Sequence, residues 1–328
     1  MMTIKGRRIL LLALLISIAL FSLFALSVGS ANIDSVWKYI FNPSLSGFGH
    51  DIIWDIRFPR VAAALLVGMA LGVAGALSQS ATNNPLADPS IIGTSAGAAF
   101  GASLTIVLNI ASIGTLGTTA GAAVGALLAS LLTFALSRSV LQLVIVGIAT
   151  SALFTAITGL LISMADKPEA RSISFWSLGS LALVNTNTLT LLGPIVILTS
   201  VLGWYYSQKM DLLVLGDREV SHLGLNPQRM RFIAFLLISL LIAVSVSTVG
   251  SIAFLALAAP HITRYLIGPS NRPLMIGSAV IGAGLLLIAD TAARTLAAPI
   301  ELPIGLITSL IGAPILIAVL RKSGEVWR

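Results

Sequence analysis

The stretch PSIIGTSAGAAFGASLTIVLNIASIGTLGTTAGAAVGALLASLLTFALS, residues 89–137, contains no Asp, Glu, Lys or Arg. A helix needs about 20 mostly apolar residues to cross a bilayer, so this stretch is long enough for two crossings. Residues 172–208 form a second uncharged run. A transmembrane barrel would instead show alternating apolar and polar residues in segments of about 10, and we find none. The stretch therefore predicts an all-α, polytopic membrane protein.

The composition of the whole chain supports this fold class. The 328 residues are 57% hydrophobic and 9% charged, whereas soluble domains are about 25% charged. The absence of cysteine excludes disulfides, thiolate metal sites and cysteine nucleophiles. The net charge of +7 indicates a bias of basic residues toward cytoplasmic loops rather than a nucleic-acid partner.

Ten apolar segments are predicted to cross the membrane, with a charged loop, residues 207–230, between the sixth and the seventh. They are residues 9–29, 61–81, 91–110, 113–136, 140–164, 188–206, 232–249, 252–267, 274–296 and 302–320. The first is longer than the apolar region of a signal peptide, about 7–15 residues, so we predict an uncleaved span. The eighth is ambiguous because it contains Pro260, which we expect to break it, together with His261 and Arg264.

The distribution of basic residues predicts the topology. Both ends are basic, KGRR at residues 5–8 and RKSGEVWR at residues 321–328, so both termini are predicted to be cytoplasmic. An even number of spans is then required. Ten spans place about two thirds of the 19 Lys and Arg inside, whereas nine divide them almost evenly. The loop 207–230 falls in the cytoplasm, and residues 31–60 fall outside.

Five stretches together resemble one family. They are RFPR (57–60), NNPLADPSIIGTSAGA (83–98), LGDREVSHLG (215–224), GSIAFLALAAPHITRYLIG (250–268) and ADTAARTLAAPIELPIGLITSLIGAP (289–314). In this order they resemble the FecCD-type permeases, the membrane subunits of ABC importers for ferric siderophores, haem and cobalamin. The resemblance extends from about Arg57 to Lys322. One departure is Ser221 and His222, where the family more often has small apolar residues.

The resemblance implies a single permease domain, residues 1–328, in the inner (cytoplasmic) membrane. The implied partners are a second permease subunit, either another copy or a paralogue, two cytoplasmic ATPase subunits and an extracytoplasmic substrate-binding protein. ATP and Mg would bind to the ATPase partners. This chain itself is expected to hold no catalytic residue, cofactor or metal.

The loop 207–230 is the first candidate site. Glycines and a proline at Gly216, Gly224 and Pro227 predict turns, and acids near the start of a short helix between them would suit its dipole. A solvated connector is the alternative, since loops commonly lie on the surface. The resemblance instead implies that this loop contacts the ATPase and transmits its closure as rigid-body motion. The candidate coupling residues are Gly216, Asp217, Glu219, Leu223 and Gly224.

Three arginines form the second candidate site. Arg57 and Arg60 begin the second span, and Arg294 ends the ninth. They suit anchoring at the membrane interface, but the resemblance implies that they dock acidic residues of the binding protein. Arginine suits this role because it binds carboxylates bidentately. Asp290 lies four residues before Arg294, so the two are predicted to pair on one helix.

Several polar residues have two open interpretations. Glu301 supports either docking or local loop structure. Gln79, Asn83 and Asn84, at the inner end of the second span, either line an inner gate or bond to helix ends. We interpret His261 as structural, because a lone histidine makes a poor metal site.

Two other function classes are weaker. An ion-coupled secondary transporter of a small organic substrate usually has ionisable residues and broken helices at mid-membrane, and these spans contain almost none. A membrane-embedded enzyme would need clustered His, Asp or Glu, which the spans lack. The sequence therefore favours a permease for a metal chelate, first a ferric siderophore, then haem or cobalamin.

Overall fold

The computed structural model describes residues 4–29, 31 and 33–324, and every regular element within them is helical. The α-helices are α1 (Ile4–Ser27), α2 (Val36–Phe41), α3 (Phe48–His50), α4 (Phe58–Thr82), α5 (Thr94–Val107), α6 (Leu116–Leu136), α7 (Val140–Met164), α8 (Lys167–Ser177), α9 (Thr186–Met210), α10 (Asp217–His222), α11 (Pro227–Val249), α12 (Leu255–Ile267), α13 (Asn271–Thr295) and α14 (Ile304–Gly324). A π-helical segment, Asp51–Arg57, leads into α4. Two 3₁₀ turns, Pro89–Ile92 and Asp211–Leu215, precede α5 and α10. The predicted all-α fold class is confirmed.

Each of the ten predicted spans coincides with one long helix: α1, α4 to α7, α9 and α11 to α14. Within the described residues, seven helices are long and apolar enough to cross a bilayer, and α5 and the first part of α14 are shorter apolar helices. The number of crossings and the cytoplasmic location of the termini stay predictions. Residues 325–328 of the basic tail lie outside the described residues.

Helix α4 occupies the centre of the bundle and packs against α9, α11, α12 and α13. Its most extensive contact is with α13, and the two backbones lie close together because small residues face each other there. A Cβ added at Gly68 or Gly72 would overlap the carbonyl oxygen of Gly282 or Ser278 on α13. Small residues let helices approach closely in lipid, where packing rather than the hydrophobic effect drives their association. We call the α4 end with Arg60 outer and the end with Asn83 inner.

The eighth span differs from its prediction. Pro260 does not break it but lies buried inside the continuous helix α12. Proline has no N–H, so the carbonyl of Ala256, four residues earlier, loses its usual helical partner. That carbonyl points at Gly75 of α4, where any side chain would overlap it. The non-helical backbone lies before α12 instead, and it includes Phe254 at φ 64°.

A second group of helices, α5 to α7, joins the centre through α11. Helices α5 and α6 pack backbone to backbone, with Gly97 and Gly101 facing Gly125 and Gly121. The long helices α1, α7 and α9 are largely exposed along their apolar lengths. These faces are suited to contact lipid or another helix, so the described chain has a packed centre and an apolar rim.

The central contact makes a stability prediction. We expect Gly72→Ala to destabilise the folded chain by about 1–3 kcal/mol, because its methyl group would force α4 away from α13. Gly159→Ala on α7 is the matched control, since a Cβ there meets open space. Thermal unfolding in detergent, followed by fluorescence-detected size exclusion, measures both. Equal stability of the two variants would contradict a tight α4–α13 contact.

Candidate functional site

The loop between α9 and α11 folds as predicted into a short helix bounded by turns. Gly216 and Gly224 adopt positive φ values of 95° and 76°, a conformation that glycine adopts without steric cost. Between them α10 carries Asp217 and Glu219 in its first turn, where the helix dipole favours acids. Val220 is buried and holds the helix to the bundle.

All five predicted coupling residues are exposed and available to a partner. Gly216, Glu219 and Gly224 are exposed, and Leu223 presents 59% of its surface. Asp217 differs, because its carboxylate accepts two hydrogen bonds from Arg231 of α11, at 2.7 and 2.8 Å. These bonds lower the pKa of Asp217 below its ordinary value. Asp217 therefore binds its own bundle while 58% of its side chain stays exposed.

The outer end of the bundle contains a buried charge network. Asp290 on α13 has no exposed surface. Arg60 on α4 donates from Nε to Asp290 Oδ1 and from Nη1 to Glu301 Oε1, both at 2.8 Å. Arg294 Nε lies 3.5 Å from the other oxygen of Asp290. The predicted Asp290–Arg294 pair is thus present, but Arg60 is the closer partner of the carboxylate.

Two arginines of this region also hold the end of α1. Arg57 and Arg294 donate to backbone carbonyls in and just after its last turn. The acceptors are Leu26, Ser27 and Ala31 for Arg57, and Ala25 and Val28 for Arg294. Carbonyls at a helix C-terminus lack helical partners and carry partial negative charge, so cations stabilise them. The arginines therefore attach the otherwise exposed α1 to the bundle.

The structure brings the three predicted docking arginines together but turns them inward. Arg57, Arg60 and Arg294 are 4%, 7% and 4% exposed. Their guanidinium groups are committed to carbonyls of α1 or to Asp290 and Glu301. Docking of acidic residues at these positions stays a prediction, and any such contact must act on a buried network that already bonds within the chain.

The residues with open interpretations mostly bond to neighbouring helices. Glu301 binds Arg60, and Gln79 accepts from Arg264 at 2.7 Å. Asn84 caps its own turn by accepting from the N–H of Leu86. His261 is buried within α12, and its structural role stays a prediction. Among the described residues, no group of three or more His, Cys, Asp or Glu is placed to hold a metal.

Next to the coupling helix, sequence reasoning assigned no role to Arg231 and left the role of Asn83 open. Arg231 binds Asp217 and also the α4 carbonyl of Ala81, at 3.1 Å. Asn83, at the C-cap of α4, donates to the carbonyl of Leu213 at 2.8 Å. The available signal for Arg231 was an arginine immediately before the seventh predicted span, next to an acidic loop.

A cleft opens between the central helices and the α5–α7 group. It is lined by residues of α4, α5, α7, α11 and α12 and of the turns before α5 and α12: Leu71, Asp88, Pro89, Ser90, Ser95, Ala96, Ser151, Ile242, Val246, Ser251, Ile252, Ala253, Phe254, Ala256 and Leu257. The one charged group in this set, Asp88, accepts from the N–H of Ser90. The cleft therefore presents mostly hydroxyl and apolar groups.

The family match identifies the class of membrane protein to which this helical bundle belongs. A model of the FecCD transport family matches residues 12–322. The chain belongs to this family, whose members are permease subunits of ABC importers. It is accordingly a multi-pass protein of the cytoplasmic membrane that relies on a separate ATPase.

Individual relatives match over nearly the whole chain. The hemin transport system permease protein HmuU of Yersinia pestis is 37% identical over 323 residues, covering 95% of this chain and 96% of that protein. The iron(3+)-hydroxamate import system permease protein FhuB of Bacillus subtilis is also 37% identical, covering 97% of this chain and 84% of that protein. A transporter described as of the metal-chelate ABC type, solved in an inward-facing conformation, matches with a TM-score of 0.88 and 30% identity, covering 95% of this chain and 99% of that one.

The buried network predicts a large effect of Arg60. We expect Arg60→Met to destabilise the chain by about 3–5 kcal/mol, because Asp290 would keep only the longer contact with Arg294. Arg171→Met is the matched control, since Arg171 is exposed. Adding Asp290→Leu to Arg60→Met should recover most of the loss. Thermal unfolding in detergent measures all three variants, and a loss in the double variant equal to that of Arg60→Met would contradict the pairing.

Proposed function

We propose that this chain is the transmembrane permease of an ATP-driven importer for a metal chelate, with a ferric siderophore as the first candidate cargo. Haem and cobalamin follow. The observation that carries the proposal is the exposed helix α10, which is bounded by two positive-φ glycines and is rooted in the bundle through Val220. A partner that binds such a helix can move the adjoining spans α9 and α11.

In this proposal α10 fits a groove on the ATPase. The exposed residues Gly216, Glu219, Leu223 and Gly224 make the contact, while Asp217 orients the helix through Arg231. Leu223 supplies apolar surface at the tip, and Glu219 supplies a charge that matches a basic group on the partner. ATP and Mg bind to two such ATPase subunits, and this chain binds neither.

The cleft supports a chelate as the cargo. A bare metal ion would require carboxylate, imidazole or thiolate ligands, whereas Asp88 is the one such group among the lining residues and is already bonded locally. A cargo whose metal is enclosed by an organic ligand needs only a smooth, weakly polar path. The two curated relatives described above are named for hemin and for an iron(3+)-hydroxamate, so both cargo types are reasonable for this chain.

The remaining partners follow from the same proposal. A second permease subunit, a copy or a paralogue, completes the pathway. An extracytoplasmic binding protein docks on the outer end, and the buried Arg57, Arg60 and Arg294 support its contact by fixing α1 and the loop that carries Glu301. This role is indirect, because all three guanidinium groups are buried and bonded within the chain.

Reconstitution tests the transport function. The chain is placed in proteoliposomes with its cognate ATPase and binding protein, and uptake of ferric hydroxamate, haem and cobalamin is compared. We expect uptake to require hydrolysable ATP and to persist when ionophores collapse the ion gradients. Uptake driven by a gradient without the ATPase would instead establish the secondary-transporter alternative.

Crosslinking tests the coupling contact. Because the chain has no native cysteine, Leu223→Cys gives a single labelling site for a maleimide photo-crosslinker. We expect a crosslinked product with the ATPase, since Leu223 lies on the exposed tip of α10. Met164→Cys is the control, being 81% exposed at the far end of α7. Equal crosslinking at both sites, or none at Leu223→Cys, would contradict the assigned contact.

A further inference from the structure

We infer that Arg231 and Asn83 are positioning residues that fasten the coupling helix α10 to the inner end of α4, so that α4 is the span that follows its movement. The inference rests on the proposed coupling role of the loop 207–230. It goes further because α4 is not adjacent to that loop in the chain: Ala81 and Arg231 are 150 residues apart.

Arg231 joins three helices through one side chain. Its Nη1 and Nη2 atoms donate to the two carboxylate oxygens of Asp217 on α10, at 2.8 and 2.7 Å. Its Nε donates to the carbonyl of Ala81 in the last turn of α4, at 3.1 Å. The guanidinium is planar and rigid, so these three bonds fix the relative orientation of α10, α11 and α4. Lysine has neither the fork nor the third directed donor.

Asn83 makes a second attachment, which joins the end of α4 to the turn that precedes α10. It ends α4 in the left-handed region, at φ 50°, which asparagine tolerates better than most residues. Its Nδ2 donates to the carbonyl of Leu213, in the 3₁₀ turn before α10, at 2.8 Å. Leu213 is itself fully buried. The segment from Leu213 to Asp217 is therefore tied to α4 at both of its ends.

Contacts farther along spread the attachment to α13. Asp211 accepts from the N–H of Asn271, the first residue of α13, at 3.1 Å. Ser80 of α4 hydrogen-bonds to the Asn271 side chain. Because α4 and α13 already touch backbone to backbone, the two helices form one rigid unit. A movement of α10 can therefore be transmitted to α4 and α13 through these hydrogen bonds, in addition to the covalent links of α10 to α9 and α11.

We call the attachment of α10 to α4 through Arg231 and Asn83 the clamp. Its loss should reduce coupling between ATP hydrolysis and transport without reducing ATPase binding. Its residues Arg231 and Asn83 bond to α4 and to the segment that starts α10, whereas Glu219 and Leu223, the proposed contact surface, are exposed. Removing the clamp leaves that surface and the covalent connections intact. The ATPase should still bind and hydrolyse ATP, but less of the movement of α10 should reach α4.

The test compares variants in the full transporter, reconstituted with its ATPase and binding protein. We expect Arg231→Met to lower the cargo transported per ATP by about tenfold, since two charge-assisted hydrogen bonds and one backbone bond are lost. Arg231→Lys should recover part of it. Asn83→Gly, which accepts the positive φ but lacks the amide, should also lower the ratio. Arg229→Met, an exposed arginine two residues away, is the matched control and should leave it unchanged.

A second readout needs neither ATPase nor cargo. Spin labels at Leu86→Cys and Leu223→Cys, both exposed, report the distance between the inner end of α4 and α10. We expect one narrow distance distribution in the unmodified background, and a broadened distribution with Arg231→Met but not with Arg229→Met.

The outcomes separate the two proposals. Unchanged transport per ATP together with an unchanged distance distribution in Arg231→Met would overturn the clamp, while ATP-dependent uptake by the unmodified protein would still support the permease. Loss of ATPase association in Arg231→Met would also overturn it, because Arg231 would then serve binding. If the unmodified chain moved cargo without ATP, the permease proposal would fail, and the distance measurement alone would decide whether α10 is clamped to α4.

Discussion

The backbone contact between α4 and α13 is the constraint on which the other features depend. Apolar side chains gain little by leaving lipid for a protein interior, so helices in a membrane associate through close packing and a few polar bonds. Gly68 and Gly72 on α4, facing Gly282 and Ser278 on α13, provide that closeness. With the two helices at this distance, Arg60 reaches Asp290 at one end and Ser80 reaches Asn271 at the other.

The buried charges then fix the register of the two helices. A fully buried carboxylate such as Asp290 is costly unless it is paired and hydrogen-bonded. Asp290 can pair with Arg60 in only one axial register of α4 and α13. Sliding either helix by one turn, about 5.4 Å, would break the pair. Packing sets how close the helices lie, and the ion pair sets where along their length they match.

Local features of the sequence predicted most of the fold. The apolar runs located the ten helices that match the predicted spans, because length and hydropathy are properties of single segments. The glycines at 216 and 224 located the turns around α10 for the same reason. Pro260 was interpreted wrongly because its cost depends on a neighbour: Gly75 of α4 leaves room for the freed carbonyl of Ala256.

The sites were predicted less well, because their contacts join distant parts of the chain. Asp290 and Arg294 are four residues apart, so their pairing was predictable, whereas Arg60 is 230 residues from Asp290 and has no local signal. The inward direction of Arg57 and Arg294 depends on where α1 ends, which no motif encodes. Arg231 was passed over for the same reason, since its bonds to Asp217 and Ala81 appear only when α4, α10 and α11 are assembled.

The long separation between Arg60 and Asp290 also bears on biosynthesis. A ribosome makes the chain from its N-terminus, so Arg60 enters the membrane 230 residues before its carboxylate partner exists. During that interval its cation remains stable only by extending to the aqueous boundary, as long basic side chains at helix ends do. The final settling of α4 against α13 must therefore await nearly complete translation, and chains released early would retain an unpaired arginine that quality-control proteases can recognise.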